Sequence, residues 1–191
     1  RGYDFLLLHE MAHEWWGNYL SVSDWSDFWI HEGFAVYSEA LFIEEKYGFD
    51  EYNSFFKKNL LKKIPQYKPI VLDRNATMKQ VAGLDPYYKG AFVLHMLRYL
   101  IGDEDFFKVI KDFLHSKKMA HDNQVSTSDF IDIVHNTTGE NIDWFFEVYL
   151  YEKKYPILIK NISHGSNHTF VELSWKNKGF AMPVEVIYKS N

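Results

Sequence analysis

The sequence predicts a mainly helical chain that ends in the first strands of an antiparallel β domain. Three observations support this fold class. Apolar residues recur at helical spacing up to about residue 151, glycine and proline separate these stretches, and the C-terminal part contains short apolar runs divided by turn sequences. We therefore expect a helical domain at residues 1–154 and the start of a truncated, sandwich-like β domain at residues 155–191.

The first two predicted helices span residues 3–20 and 27–47. The first contains Phe5, Leu6, Leu8 and Ala12, so it is apolar on most of its surface. A helix that is apolar nearly all round is normally buried, and we expect this one to be buried. The second helix ends at Gly48, because glycine readily adopts the left-handed conformation that terminates a helix.

The later helices are predicted from residues that are typical of helix ends. Residues 50–63 show a helical pattern, and prolines at 65 and 69 indicate a loop. Asp85 and Pro86 are a typical helix start, and Gly102 ends that helix. Further helical patterns follow at 103–117, 126–134 and 142–151.

Three short apolar runs at 157–159, 170–173 and 184–187 predict antiparallel strands. Turn sequences at 164–167 and 177–179 separate them. Because three strands with open edges make an incomplete sheet, we expect the sheet to continue beyond residue 191 in the parent protein.

Composition limits the function classes. The net charge is −5, and the first 63 residues hold the whole acidic excess. A local negative potential suits a cation or a protonated amine and argues against nucleic acid as a partner. A solvated acidic helix surface explains the acids outside motifs equally well. The chain has no cysteine, which excludes disulfides and thiolate metal ligands, and it has no apolar run long enough to span a membrane.

The sequence HEMAH at residues 9–13 predicts a zinc site. His9 and His13 are four residues apart on a predicted helix, so their imidazoles point from one face. Glu10 is adjacent and fits the role of general base. A catalytic zinc normally has three protein ligands, and Glu32, on the second helix, is the best candidate for the third.

Glu39 lies two helical turns after Glu32 and therefore on the same face. A carboxylate at this position could accept the free N–H of a ligand histidine and orient its ring. An ordinary surface glutamate explains Glu39 equally well.

Three motifs in this order resemble the aminopeptidase N family of gluzincins, which also contains the leukotriene hydrolases. They are HEMAHEWWGN at 9–18, HEGFA at 31–35 after an eighteen-residue gap, and PYYKGA at 86–91. The resemblance implies the helical half of a thermolysin-like catalytic domain, one Zn²⁺ per chain and a peptide substrate. It also implies that Tyr87, two residues before Lys89, donates a hydrogen bond to the oxyanion.

The same resemblance raises further expectations. Tyr88 shares a helix face with Phe92 and Met96, which predicts that Tyr88 belongs to the core and Tyr87 to the site. The family's Gly-x-Met-Glu-Asn box, whose glutamate binds the substrate amine, is not in this sequence. Since Arg1 leads almost directly into the zinc motif, we expect segments of the parent chain to be missing upstream and downstream. His31 differs from the residues common in relatives and either faces the substrate or is a neutral change.

The resemblance leaves three functions to consider. The first is a zinc aminopeptidase, in which zinc polarises a water, Glu10 takes its proton, and Tyr87 stabilises the oxyanion. The second is an epoxide hydrolase of the leukotriene type, which reuses the same site. The third is a non-catalytic scaffold, against which the intact ligand set, base and tyrosine argue.

Overall fold

Helices form most of the chain up to Tyr151 in the computed structural model, which describes residues 4–64, 68–83, 85–116 and 123–187. The α-helices are α1 (Phe5–Ala12), α2 (Trp29–Tyr47), α3 (Phe49–Phe55), α4 (Met78–Val81), α5 (Asp85–Ile101), α6 (Asp103–Leu114), α7 (Thr127–Thr138) and α8 (Asp143–Phe146). Short 3₁₀ turns occupy Trp25–Asp27 and Leu61–Lys63, and π-helical turns extend α3 and α8 over Phe56–Leu60 and Glu147–Tyr151. The strands are β1 (Ser21–Val22), β2 (Gln124–Val125), β3 (Leu158–His164) and β4 (Thr169–Trp175). This arrangement confirms the predicted fold class.

The first helix is shorter and more exposed than predicted. It ends at Ala12, and the chain then turns through Gly17, whose φ of +137° is incompatible with a helix. The prediction that this helix is buried all round is also wrong. Leu6, Leu7 and Met11 are 67%, 59% and 51% exposed, because α2 covers only the opposite side of α1.

Helices α2 and α5 form the centre of the fold and pack directly against each other. The two backbones approach closely at Gly33 and Gly90, where neither residue has a side chain to separate them. On α2, the neighbouring Phe34 and Ala35 are almost completely buried. This crossing fixes the distance between Glu32 on α2 and Tyr87 on α5, so the position of the candidate site depends on it.

The connection between α1 and α2 is tied to α7. β1 pairs in parallel with β2, which immediately precedes α7. Asp27 accepts hydrogen bonds from the backbone N–H of Thr127 at 3.0 Å and from Arg74 at 2.7 Å. The indole N–H of Trp29 donates to the Thr127 hydroxyl at 2.9 Å. These bonds hold the start of α2 in place.

After Tyr151 the described chain forms an antiparallel pair of strands, with Leu158 opposite Trp175 and His164 opposite Thr169. The predicted third strand at 184–187 is wrong, since residues 181–187 carry no strand. Phe180 and Met182 instead pack into the helical core, and Trp175 donates its indole N–H to the Met182 carbonyl. Among the described residues, no helix is both long and apolar enough to cross a membrane.

Candidate metal centre

The fold brings His9, His13 and Glu32 together at the junction of α1 and α2. His9 lies in the second turn of α1, and His13 follows the last residue of that helix with backbone angles that are still helical. Glu32 lies in the first turn of α2. His9 Nε2 is 3.2 Å and His13 Nε2 is 3.5 Å from Glu32 Oε2.

These separations fit a zinc ion. A tetrahedral zinc with bonds of about 2.1 Å keeps its ligand atoms roughly 3.4 Å apart. One donor atom from each of the three residues lies within 4.8 Å of the other two. Two imidazoles and one carboxylate form a common donor set of catalytic zinc sites, which leave the fourth position open.

Both imidazoles are oriented by hydrogen bonds from their other nitrogen. His9 Nδ1 is bonded to Glu39 Oε1 at 2.9 Å, which is the contact expected if Glu39 orients a ligand. His13 Nδ1 donates to the backbone carbonyl of Trp16 at 2.9 Å. In both histidines, this bond leaves the Nε2 atom facing Glu32. Sequence reasoning missed the role of Trp16, because a carbonyl becomes available there only through the turn that ends α1.

The electrostatics of the cluster favour an ionised Glu32. Burial raises the pKa of Glu32, but hydrogen bonds and charges of His13 and His9 outweigh burial and lower this pKa to about 2. Burial lowers the pKa of His9, but Glu32 and Glu39 outweigh that effect and raise it to about 9. The hydrogen bond to Glu32 is the main reason that the pKa of His13 is raised. A metal ion that binds here therefore displaces protons from the imidazoles.

Tyr87 lies in the first turn of α5, beside His9. Their ring centroids are 6.0 Å apart and the rings are nearly parallel. Burial, followed by the negative charge of Glu32, raises the pKa of Tyr87 to about 12, so its hydroxyl keeps its proton at neutral pH. The negative charge of Glu10, which is exposed on α1, makes a smaller contribution to raising this pKa.

Tyr88 packs against the core without being enclosed by it, so the prediction that it belongs to the core holds only in part. It is half-buried and lines the same cavity of about 610 Å³ as Tyr87 and His9. The ammonium of Lys63 donates to its hydroxyl at 3.3 Å. Phe92 and Met96, further along the same face of α5, pack against the core, whereas Tyr99 is 44% exposed.

His31 lies apart from this groove. It is half-buried, and its Nε2 accepts a hydrogen bond from the backbone N–H of Val22 at 3.1 Å. It lines a separate pocket together with residues 21–25. Its observed contact is therefore with the β1 segment that leads into α2.

Lys89 supports the start of α5 from the other side. Its side chain is completely buried, and its ammonium donates to the carbonyl of Glu152 at 2.8 Å, just after the π-helical turn. Burial lowers the pKa of Lys89 to about 8. The sequence motif singled out Lys89, but its partner could not be identified, because Glu152 is distant in the chain.

Comparisons with known proteins are consistent with one family. The Peptidase family M1 domain matches residues 4–149. The chain is 27% identical to Aminopeptidase M1-B of Oryza sativa subsp. japonica over 167 residues, which are 84% of this chain and 19% of the relative. It is 31% identical to human Endoplasmic reticulum aminopeptidase 2 over 127 residues, or 62% of this chain and 13% of the relative.

A solved structure shares the fold. The M1 zinc metallopeptidase from Deinococcus radiodurans superposes with a TM-score of 0.68 at 24% identity, covering 82% of this chain and 34% of that protein. The chain spans about a fifth of the length of the first of these relatives. The family match covers most of the chain, including His9, His13 and Glu32, and confirms the resemblance seen in the sequence. The chain belongs to the peptidase family M1.

Proposed function

We propose that this chain forms the metal-binding part of a zinc-dependent aminopeptidase. The main support for the proposal is the donor set of His9, His13 and Glu32, whose nitrogen and oxygen atoms are spaced like the ligand atoms of a zinc ion. The proposal places one zinc ion in residues 1–154 and peptides as substrates. When bound, zinc supplies Lewis-acid chemistry, lowering the pKa of a water towards neutrality and polarising a carbonyl group.

Glu10 is the proposed general base. It is adjacent to His9 on α1 and belongs to neither the donor set nor a described ion pair. In this role it takes a proton from the attacking water and passes it to the amine that leaves. Glu39 keeps His9 Nε2 directed at the metal through its hydrogen bond to Nδ1.

Tyr87 is the proposed donor to the developing oxyanion. Its hydroxyl stays protonated at neutral pH, and the residue lines the groove together with His9. A donor of this kind typically accelerates the reaction by 10²- to 10³-fold. Glu10 lies on α1 together with His9, Tyr87 lies on α5, and α2, which carries Glu32, packs against both helices.

Removal of N-terminal amino acids is the proposed activity, because the relatives named above are aminopeptidases. The zinc-loaded protein should hydrolyse an aminoacyl-anilide and leave its N-acetylated form intact. Hydrolysis of an epoxide substrate in place of the anilide would identify the leukotriene hydrolase type of reaction. Absence of both activities in the zinc-loaded full-length parent protein would identify a non-catalytic scaffold.

A further inference from the structure

The groove beside the candidate metal centre is lined by side chains of both charge signs. Its near end contains His9 and the carboxylate of Glu39. Its far wall contains Lys58 and Lys63, both exposed, and Asn59. Among the described residues, no carboxylate pairs with either lysine. Two lysines without a described carboxylate partner therefore line the cavity of about 610 Å³.

Lys63 is held in place at this wall. Its ammonium lies 4.8 Å from the centroid of the Tyr88 ring and donates to the hydroxyl of that residue. The Tyr88 ring is in turn 6.5 Å from the Tyr87 ring. These distances place the ammonium at most about 11 Å from Tyr87, which is the length of roughly three residues of an extended peptide.

Lys58 lies in the π-helical turn Phe56–Leu60, which interrupts the regular helix after α3. Such turns are rare and occur frequently at functional sites, because the extra residue changes the direction of the side chains. In this turn Phe56 and Leu60 are buried in the core, whereas Lys58 and Asn59 line the groove.

We propose that this groove binds the part of a peptide substrate that carries a carboxylate, through Lys58 and Lys63. This inference rests on the proposed peptidase function. The carboxylate belongs to an acidic side chain or to the C-terminus of a short peptide. Leu6, which is exposed, and Tyr88 supply apolar surface for the rest of that residue.

Paired peptides test the proposal. Each pair differs only in one carboxylate: Glu against Gln at the first residue, Glu against Gln at the second, and a C-terminal acid against its amide. For each pair, the kcat/KM of the acidic peptide is divided by the kcat/KM of the neutral peptide. We expect this ratio to fall about three- to tenfold for one pair in the double variant Lys58→Met/Lys63→Met. The pair that responds identifies the source of the carboxylate. The preference should weaken at high salt, because the lysines are exposed.

The matched control is Lys57→Met/Lys62→Met. These lysines lie on the same segment, are exposed and do not line the groove, so the ratio should stay at the wild-type value. Lys58→Arg/Lys63→Arg should retain the preference. Equal ratios in the wild type and the Lys58→Met/Lys63→Met variant, with neutral peptides still hydrolysed, would overturn this inference and leave the peptidase function intact.

Loss of the peptidase function would be recognised separately. If the zinc-loaded protein hydrolyses no peptide, calorimetric binding of the same peptide pairs decides the question. Tighter binding of one acid form, lost with Lys58→Met/Lys63→Met and kept in the control, supports the carboxylate site. Equal affinities for the acid and neutral forms contradict it.

Discussion

Gly33 and Gly90 meet at the crossing of α2 and α5, and a methyl group added to Gly33 would lie 2.9 Å from the Cα atom of Gly90. No ordinary Cβ contact is that short, and the neighbouring atoms are backbone, which cannot rotate away. The crossing lies one residue from Glu32 and three residues from Tyr87. It therefore couples the packing of the core to the geometry of the metal centre.

Gly33→Ala should separate α2 from α5 and thereby move Tyr87 away from Glu32. Overpacking of this kind lowers the unfolding free energy by about 1–3 kcal/mol. The better helix propensity of alanine offsets up to about 1 kcal/mol of this loss. We expect a lower unfolding free energy in denaturant titrations together with a reduced kcat. Glu45→Ala, on the exposed side of the same helix, is the control and should change stability by less than about 0.5 kcal/mol. A fully active and equally stable Gly33→Ala protein would contradict the close crossing.

His13→Ala should remove one of three proposed ligands, and the purified variant should contain little zinc by elemental analysis. Glu10→Gln is the matched comparison, because it changes the proposed base and leaves the donor set complete. It should bind about one zinc per chain and lose nearly all turnover. Equal zinc contents in wild type and His13→Ala would refute the ligand assignment, and loss of zinc in Glu10→Gln would refute the role of base.

Glu39→Gln should weaken zinc binding by about 10- to 100-fold without abolishing it, because the amide holds the His9 ring less firmly than the carboxylate does. Competition with a zinc-selective chelator measures the affinity. Glu14→Gln, on an exposed site near the metal helix, provides a control with the same change of charge. If Glu39→Gln and Glu14→Gln both bind zinc with the wild-type affinity, Glu39 does not orient His9.

Tyr87→Phe should lower kcat by two orders of magnitude or more while zinc content stays at the wild-type level. Tyr88→Phe removes the hydroxyl that contacts Lys63 and should change kcat much less. Steady-state kinetics of the two variants on one anilide substrate, measured side by side, make the comparison. A larger loss of kcat in Tyr88→Phe than in Tyr87→Phe would show that Tyr88, and not Tyr87, contacts the oxyanion.

Arg98 stabilises the fold away from the site. It is almost completely buried and donates to Glu44 at 2.5 Å and to Asp103 at 2.8 Å. Arg98→Met should lower the unfolding free energy by about 2 kcal/mol, less than for a fully buried pair because Asp103 is exposed to solvent. Lys108→Met breaks only an exposed pair on α6 and should cost about 0.5 kcal/mol or less.

The effect of Arg98→Met should depend on pH. The hydrogen bond from Arg98 lowers the pKa of Asp103 below the unfolded value, so its stabilisation is present above about pH 4 and is lost as the pH falls through the lowered folded-state pKa. Unfolding titrations at pH 7 and pH 3 should show a larger difference between wild type and variant at pH 7. A difference that stays constant with pH would mean that packing, and not the ion pair, accounts for the loss.

Local sequence determined the elements and the spacing of the candidate site. The four-residue interval between His9 and His13 places both on one helix face, and Asp85, Gly48 and Gly102 mark helix ends that the structure reproduces. These are short-range effects of backbone geometry. The motif order was also sufficient to identify the family, as the comparison confirmed.

Only the tertiary structure decided how these elements meet. The carbonyl of Trp16 on His13, the contact of Lys89 with Glu152, and the exposure of Leu6 on α1 depend on which helices pack against each other. The same holds for residues 184–187, which have a strand-like composition. The packing of Phe180 and Met182 into the helical core directs this segment away from the sheet, and a contact between distant parts of the chain is not encoded in local spacing.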